Sequence, residues 1–297
     1  MYIFLKLLYI IIIMKKLGII VDSFSGLTQE QANEKGYRFL PLRIEIDGVF
    51  YEDGKEIDSQ DLLKKLTTET KVKTSLPNYN LIVQTIEETS NEYDDVIYLG
   101  VSKELSNTFS QFISVASEKN NVYAMENHLF GNQIIRVVEY FKKLYENGAS
   151  INELYSKLND INETSRTFIV PKNLQFIVNG GRLSGLKKFI LSYLKMFPIL
   201  SYDLEGKVKS ISIKKTFKQA VYKAFDLVND FIEEIKSYNK EANVYVDLVA
   251  GIDNEVNNLI TSDEFIKPTS KINTPASIAA HTGPEAFAVS VMLELDK

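Results

Sequence analysis

The chain is predicted to fold as an α/β protein in two domains. Two patterns in the sequence predict it. Short continuous apolar runs each lead through a polar loop into an amphipathic helix, the signature of a parallel sheet with helices on both faces. Near residue 165 the pattern changes, and later strands include an alternating one that signals a mixed sheet. The expected organisation is an N-terminal parallel-sheet α/β domain over residues 14–164 and a C-terminal α/β domain with a mixed sheet over residues 165–297.

Residues 17–21 (LGIIV) are uniformly apolar and end at Asp22, Ser23, Phe24 and Ser25, as a buried parallel strand and its exit turn would. Thr28 with Gln31 fits a capping box that opens a helix. Residues 39–46 alternate and read as one strand. Asp47-Gly48 signals a hairpin turn, with 49–51 returning. Asp58 reads as the cap of a helix at 62–66. Residues 74–78 (TSLPN) read as a loop leading into a helix at 79–88. Residues 95–101 form a second buried strand, 102–108 its exit loop and 109–117 a helix with Phe109, Phe112, Ile113 and Ala116 on one face. A strand at 122–125 and helices at 133–147 and 151–159 complete the first half.

The second half reads as a strand at 166–170, helices at 174–178 and 186–193, and a strand at 197–200. A turn at Glu205-Gly206 leads to an alternating strand at 207–213. A long amphipathic helix spans 217–238, followed by a strand at 244–249 and a helix at 255–261. A turn at 282–284 precedes a closing strand at 286–293. There is no internal repeat and no low-complexity tract.

Composition excludes several classes. The 297 residues carry a net charge of -5, which argues against a nucleic-acid partner. The absence of cysteine removes disulfides, thiolate metal sites and cysteine nucleophiles, and fits a reducing, cytoplasmic location. The two histidines, His128 and His281, are far apart and neither sits in a metal motif, so no metal or cofactor is expected. Residues 2–13 are apolar apart from Lys6, but a spanning helix needs about 20 such residues. They also lack the order and cleavage site of a secretory signal. Two readings stand: an over-extended start with the working chain beginning at Met14, or a short membrane-touching anchor. The strand directly after Met14 favours the first.

Three hydroxyl-rich loops sit at strand ends or helix starts: Asp22 to Ser25, Thr74-Ser75, and Ser106-Asn107-Thr108. In an open α/β sheet such edges bind ligands, and hydroxyls beside free backbone N–H groups suit a carboxylate or phosphate. Each loop also reads simply as a helix cap, and Thr108 with Gln111 fits a capping box of its own. Ser106 or Ser23 as a nucleophile, with His281 as the base, is an alternative, although no G-x-S-x-G surrounds either serine. Glycine-rich phosphate loops are absent. Gly180-Gly181-Arg182 reads either as a helix C-cap with an exposed arginine or as a tight turn holding Arg182 toward an anion or a partner.

In order along the chain, these pieces resemble the DegV family. The resemblance rests on residues 19–23 (IIVDS), Pro41-Leu42, Asp47-Gly48, Tyr51 to Gly54, Thr74-Ser75-Leu76-Pro77, Leu105-Ser106-Asn107-Thr108, Gly180-Gly181-Arg182, Pro198-Ile199-Leu200 and His281-Thr282-Gly283-Pro284. It runs from Met14 to the C-terminus. It implies a bacterial, non-catalytic fatty-acid-binding protein of the FakB type. Such a protein buries a long acyl chain between its domains and presents the carboxyl group to a fatty acid kinase, which forms an acyl phosphate for phospholipid synthesis. By the same resemblance Thr74 and Ser106 hold the carboxylate, and Arg182 and His281 support the polar end beside Ser75, Asn107 and Thr108. Fatty acid and kinase are then the partners, with transient contact at a membrane surface. Burying each methylene contributes about 0.8 kcal/mol, so the tail supplies most of the affinity. The alternatives are a serine-dependent hydrolase or acyl-transfer enzyme using Ser106, and a scaffold without ligand.

The chain departs from the family pattern at several points. Asn107 replaces a glycine, where a left-handed turn would tolerate asparagine. Phe197 precedes Pro198 in place of a lysine, Glu126-Asn127 replaces an acid–serine pair, and Lys214-Lys215 stand near an expected arginine. These changes bear on kinase docking more than on acyl binding.

Overall fold

The computed structural model describes residues 15–56, 59–180, 196–202, 204–262 and 265–295. The leader at 1–13, the Asp58 cap, the helix expected at 186–193 and the Gly181-Arg182 pair lie outside them.

The elements run β1 (Leu17–Asp22), α1 (Gln29–Glu34), β2 (Arg38–Leu40), β3 (Arg43–Ile46), β4 (Val49–Glu52), α2 (Ser59–Lys65), β5 (Val72–Ser75), α3 (Tyr79–Glu92), β6 (Asp95–Leu99), α4 (Thr108–Ala116), β7 (Val122–Ala124), α5 (Asn132–Glu146) and α6 (Ile151–Glu163). They continue with β8 (Ser165–Val170), α7 (Leu174–Gly180), β9 (Phe197–Tyr202), β10 (Val208–Lys214), α8 (Phe217–Tyr238), β11 (Val244–Ala250), α9 (Asn254–Ile260), β12 (Ser270–Asn273), α10 (Ala276–Thr282) and β13 (Phe287–Leu293).

A parallel sheet has the order β2-β1-β6-β7. Side chains alternate across it because the strand period is two. Leu17, Ile19, Val21, Ile97 and Leu99 pack on α5 and α6. Ile20, Val96 and Tyr98 pack on α3 and α4 through Ile82, Ile86, Phe109 and Phe112. Both faces are therefore covered, and these strands read as unbroken apolar runs for that reason.

A six-stranded mixed sheet has the order β10-β9-β8-β13-β11-β12, with β11 and β12 parallel and the other pairs antiparallel. One face packs on α8 through Ala220, Val221, Ala224, Phe225 and Val228. The other face turns Val249, Ala288 and Met292 into the apolar cluster of the parallel sheet. Arg136 on α5 makes a bidentate pair with buried Asp247 on β11, with one arm at 2.7 Å, and its guanidinium lies 4.1 Å from the Tyr245 ring centroid. Gln133 donates to the carbonyl of Val291 at 2.9 Å. The two layers are thus joined by polar as well as apolar contacts.

A three-stranded antiparallel sheet, β4-β3-β5, stands beside them. Its β3–β4 turn places Asp47 and Gly48 at φ 50° and 85°, the positive pair a two-residue hairpin requires.

Three sequence expectations are corrected here. Residues 39–46 do not form one strand: β2 belongs to the parallel sheet and β3 to the three-stranded one. Pro41 lacks the N–H that would continue a ladder, and the next amide, Leu42, donates to Ser23 Oγ at 2.9 Å. The loop expected at 74–78 begins two residues later, because Thr74 and Ser75 end β5, where Thr74 pairs with Ile44. The turn expected at 282–284 is preceded by an unanticipated helix, α10, so that His281 and Thr282 are helical and the turn starts at Gly283. Among the described residues, no helix is long and apolar enough to cross a membrane.

Candidate functional site

A cavity of about 530 Å³ lies where the three sheets meet. Phe24, Val101 and Phe130 reach it from the C-terminal edge of the parallel sheet. Ile169, Leu200, Val249 and Ala288 reach it from the six-stranded sheet. Phe24 meets Phe130 edge-on at 4.9 Å and Tyr202 at 6.1 Å, so three aromatic rings close part of the wall. The size is typical of a cleft that encloses one small molecule.

Polar groups line the cavity as well. Thr74 and Ser75 from the end of β5, Ser106 and Asn107 from the loop before α4, and His281 from the last turn of α10 all line the cavity. Thr74 Oγ1 lies 2.8 Å from His281 Nε2. Sequence positions more than two hundred residues apart thus meet because β5 packs along α10. Ala276, Ala279 and Ala280 of that helix fill the apolar cluster of Ile44, Leu62 and Leu63.

Ser106 Oγ lies 2.8 Å from Thr108 Oγ1 and accepts the Thr108 amide at 3.2 Å. Thr108 is buried behind it and is not itself on the cavity wall. The capping box expected for Thr108 and Gln111 does not form. The N-cap is Asn107, which makes no side-chain cap bond, and the Gln111 amide turns to the Asn107 carbonyl at 2.9 Å. Nor is position 107 left-handed: its φ of -71° is open to any residue, so asparagine there carries no backbone strain.

The hydroxyls of the first loop serve the fold, while its Phe24 faces the cavity. Ser23 donates to the Asp53 carbonyl at 2.9 Å, and Ser25 donates to the Asp22 carbonyl at 2.7 Å. Asp22 is fully buried. It accepts from Phe24 N at 2.9 Å, Tyr98 OH at 2.7 Å and Val101 N at 3.0 Å. Burial, only partly offset by these donors, pushes its carboxyl up from 3.8 to about 6. Burial also holds the Tyr98 phenol well above its usual range, reinforced by the neighbouring Asp22. Gly100 makes room for this pair, since a Cβ there would fall 2.5 Å from Asp22 Oδ2.

Gly180 ends α7 against the site. A Cβ on it would stand 2.4 Å from His281 Nδ1, so the glycine lets the imidazole lie against the helix end. Arg182, two residues on, is outside the described residues. Sequence reasoning missed Asp53, whose carboxylate reaches α10, and the aromatic wall of Phe24, Phe130 and Tyr202. Apolar pocket walls carry the same sequence signal as core. For Asp53, the adjacent Gly54 was the available sign. The partners of the Ser106 hydroxyl are Thr108 groups, neither of them a base, and no three metal-ligating side chains cluster among the described residues.

Fold and cavity together define an α/β protein built around a mostly apolar cavity lined in part by polar side chains. The chain belongs to the DegV family: residues 16–294 match the family described as "Uncharacterised protein, DegV family". A DegV domain-containing protein of Mycoplasma genitalium is 31% identical over 301 residues, covering 95% of this chain and 99% of that protein. Two solved structures share the fold. A stearic-acid-binding protein from Eubacterium ventriosum matches with a TM-score of 0.81 at 20% identity, covering 93% of this chain and 98% of the other. A DegV family protein from Thermus thermophilus, described for its fatty acid binding, matches with a TM-score of 0.77 at 22% identity, covering 94% and 100%.

Proposed function

We propose that this protein is a non-catalytic carrier of a long-chain fatty acid, working in the cytoplasm. The observation that carries this reading is the cavity itself: mostly apolar walls, with Thr74, Ser106 and His281 all on its lining. Thr74 and Ser106 hold the carboxylate, and His281, Ser75 and Asn107 complete the polar end, with Thr108 bracing Ser106 from behind. Arg182 is assigned to the same end from its sequence motif. A hydrogen bond to a charged oxygen is worth about 1.5–3 kcal/mol, so a few of them orient the head group while the tail supplies the bulk of the affinity. The family membership and the fatty acids named for the two structural neighbours support the choice of ligand.

The polar end is built from exposed or half-exposed residues, including Asn107, Lys103 and Glu104. A carboxyl group bound there is accessible to a second protein. The carrier accordingly presents the carboxyl group of its bound fatty acid to a fatty acid kinase for conversion to an acyl phosphate. Residues 14–164 and 165–297 act as the two domains that enclose the tail.

Titration of the delipidated full chain with a panel of fatty acids of different length tests the carrier reading. Saturable one-to-one binding supports it, and no heat or fluorescence change with any chain length contradicts it. Incubating the loaded protein with a fatty acid kinase and ATP tests the second part, with acyl phosphate trapped as a hydroxamate as the expected product. Hydrolysis of an activated acyl ester that disappears in Ser106→Ala would instead favour an enzyme.

A further inference from the structure

We propose that Asp53 is the positioning residue for His281, acting through α10. The inference rests on the carrier reading, in which His281 belongs to the carboxylate end of the site.

The helix that carries His281 cannot hold itself in place. It has seven residues, its N-cap is Pro275, and no side-chain cap is supplied from its own segment. An isolated helix this short does not persist in water. Its free amides are taken by a carboxylate far away in sequence: Ser277 N donates to Asp53 Oδ2 at 2.8 Å and Ala276 N to Oδ1 at 3.3 Å. An anion at this end also complements the helix dipole. At the opposite end His281 meets Thr74. The three-stranded sheet and the turn that follows it therefore grip α10 at both ends, Asp53 at the start and Thr74 at the finish.

Asp53 is itself fixed from every side. It is 1% exposed. Its amide donates to the Leu42 carbonyl at 2.9 Å, and its carbonyl accepts the Ser23 hydroxyl at 2.9 Å. Ser59 donates to its Oδ1 at 3.0 Å. The next residue, Gly54, stands at φ 81° and accepts Gln29 N at 2.7 Å. A Cβ there would fall 2.9 Å from the Leu27 carbonyl oxygen. The turn is thus locked by main-chain bonds, and the carboxylate is aimed at α10 before any ligand arrives. Binding groups need support of this kind to stay within about 0.5 Å of their working geometry. A small rotation of α10 about its N-terminus would carry His281 away from Thr74 and along the cavity wall.

The test uses the full-length protein with its two histidines labelled with ¹⁵N, and palmitate as the probe. His128 is 1% exposed and bonds the Ser165 carbonyl, so its signals report folding, while those of His281 report the site. In Asp53→Asn the His128 signals are expected to stay and the His281 ring signals to move. Palmitate affinity is expected to fall about tenfold, the loss of one charge-assisted bond. In a His281→Ala background, Asp53→Asn is expected to cost little more, because the two act as one unit. Unmoved His281 signals, or a loss equally large in the His281→Ala background, would overturn the proposal. If Asp53→Asn unfolds, Ser59→Ala supplies the milder perturbation, read in the same signals. Should the wild-type chain bind neither palmitate nor a fatty acid of any other length, the carrier reading fails alone, and the His281 signals still decide whether Asp53 positions that side chain.

Discussion

Thr74 Oγ1 and His281 Nε2 lie 2.8 Å apart although 207 positions separate them in the chain. The contact joins the end of an edge strand to the last turn of a short helix, at the side of an apolar cavity that Ser106 also lines.

Removing the hydroxyls should therefore weaken ligand retention without unfolding the chain. Thr74→Val keeps the β-branched shape that suits a strand, and Ser106→Ala removes one oxygen. Each is expected to weaken fatty acid affinity by roughly tenfold or more, from the worth of a hydrogen bond to a charged group. Titration calorimetry, with circular dichroism as the folding control, measures both. Wild-type affinity in the double variant would remove these residues from the site.

Gly180 makes a sharper steric prediction. In Gly180→Ala the new methyl must displace His281 or move the end of α7, since it would otherwise sit 2.4 Å from Nδ1. Overpacking of this kind costs about 1–3 kcal/mol. The variant is expected to melt lower and to hold ligand more weakly, and an unchanged melting temperature with unchanged affinity would contradict the close packing.

How far the sequence alone reaches is seen in these same elements. The bounds of α8 coincide with the amphipathic run at 217–238, and β1 and the Asp47-Gly48 hairpin follow directly from apolar runs and turn chemistry. The break at Pro41 is signalled by a missing N–H, but the alternation of 39–46 masks it. The end of β5 was hidden because Thr74-Ser75 look like turn residues until β3 supplies a pairing partner. Helix α10 was hidden because its cap comes from Asp53 rather than from the residues before it. The likeness in motif order pointed to Thr74, Ser106 and His281, and the geometry puts all three on one cavity. It could not give the walls, because Phe24, Phe130 and Tyr202 read as ordinary core.

Asparagine at position 107 should be neutral. Its φ is -71°, so Asn107→Gly gains no freedom that the turn needs. Glycine and asparagine differ by a few tenths of a kcal/mol at an N-cap. Chemical denaturation is expected to give a stability within about 0.5 kcal/mol of wild type. A large gain in stability would indicate strain at this turn.

Asp22 predicts a pH dependence of definite sign. Its folded pKa is raised from 3.8 to about 6, so between those values the folded state binds more protons than the unfolded one. Stability from this group is therefore highest in acid and falls as pH rises through about 6. By neutral pH the deficit is about 3 kcal/mol. Asp22→Asn removes the titration. The stability of wild type relative to this variant is expected to drop by about that amount between pH 4 and pH 7. A flat difference would show that Asp22 titrates normally.

The Arg136–Asp247 pair joins α5 to the six-stranded sheet, with the Asp247 side chain 2% exposed. Arg136→Met leaves that carboxylate buried without its cation and should cost about 3–5 kcal/mol, whereas replacing both partners by apolar residues should cost far less. A double-mutant cycle in urea measures the difference, and additive losses would contradict a coupled pair.

The most direct test of the carrier reading is mass spectrometry of organic extracts from the purified protein, in wild type and in Thr74→Val/Ser106→Ala. The account predicts a stoichiometric long-chain fatty acid in wild type and its loss from the folded double variant. Wild-type protein that stays empty even after incubation with fatty acids of every common length would contradict it.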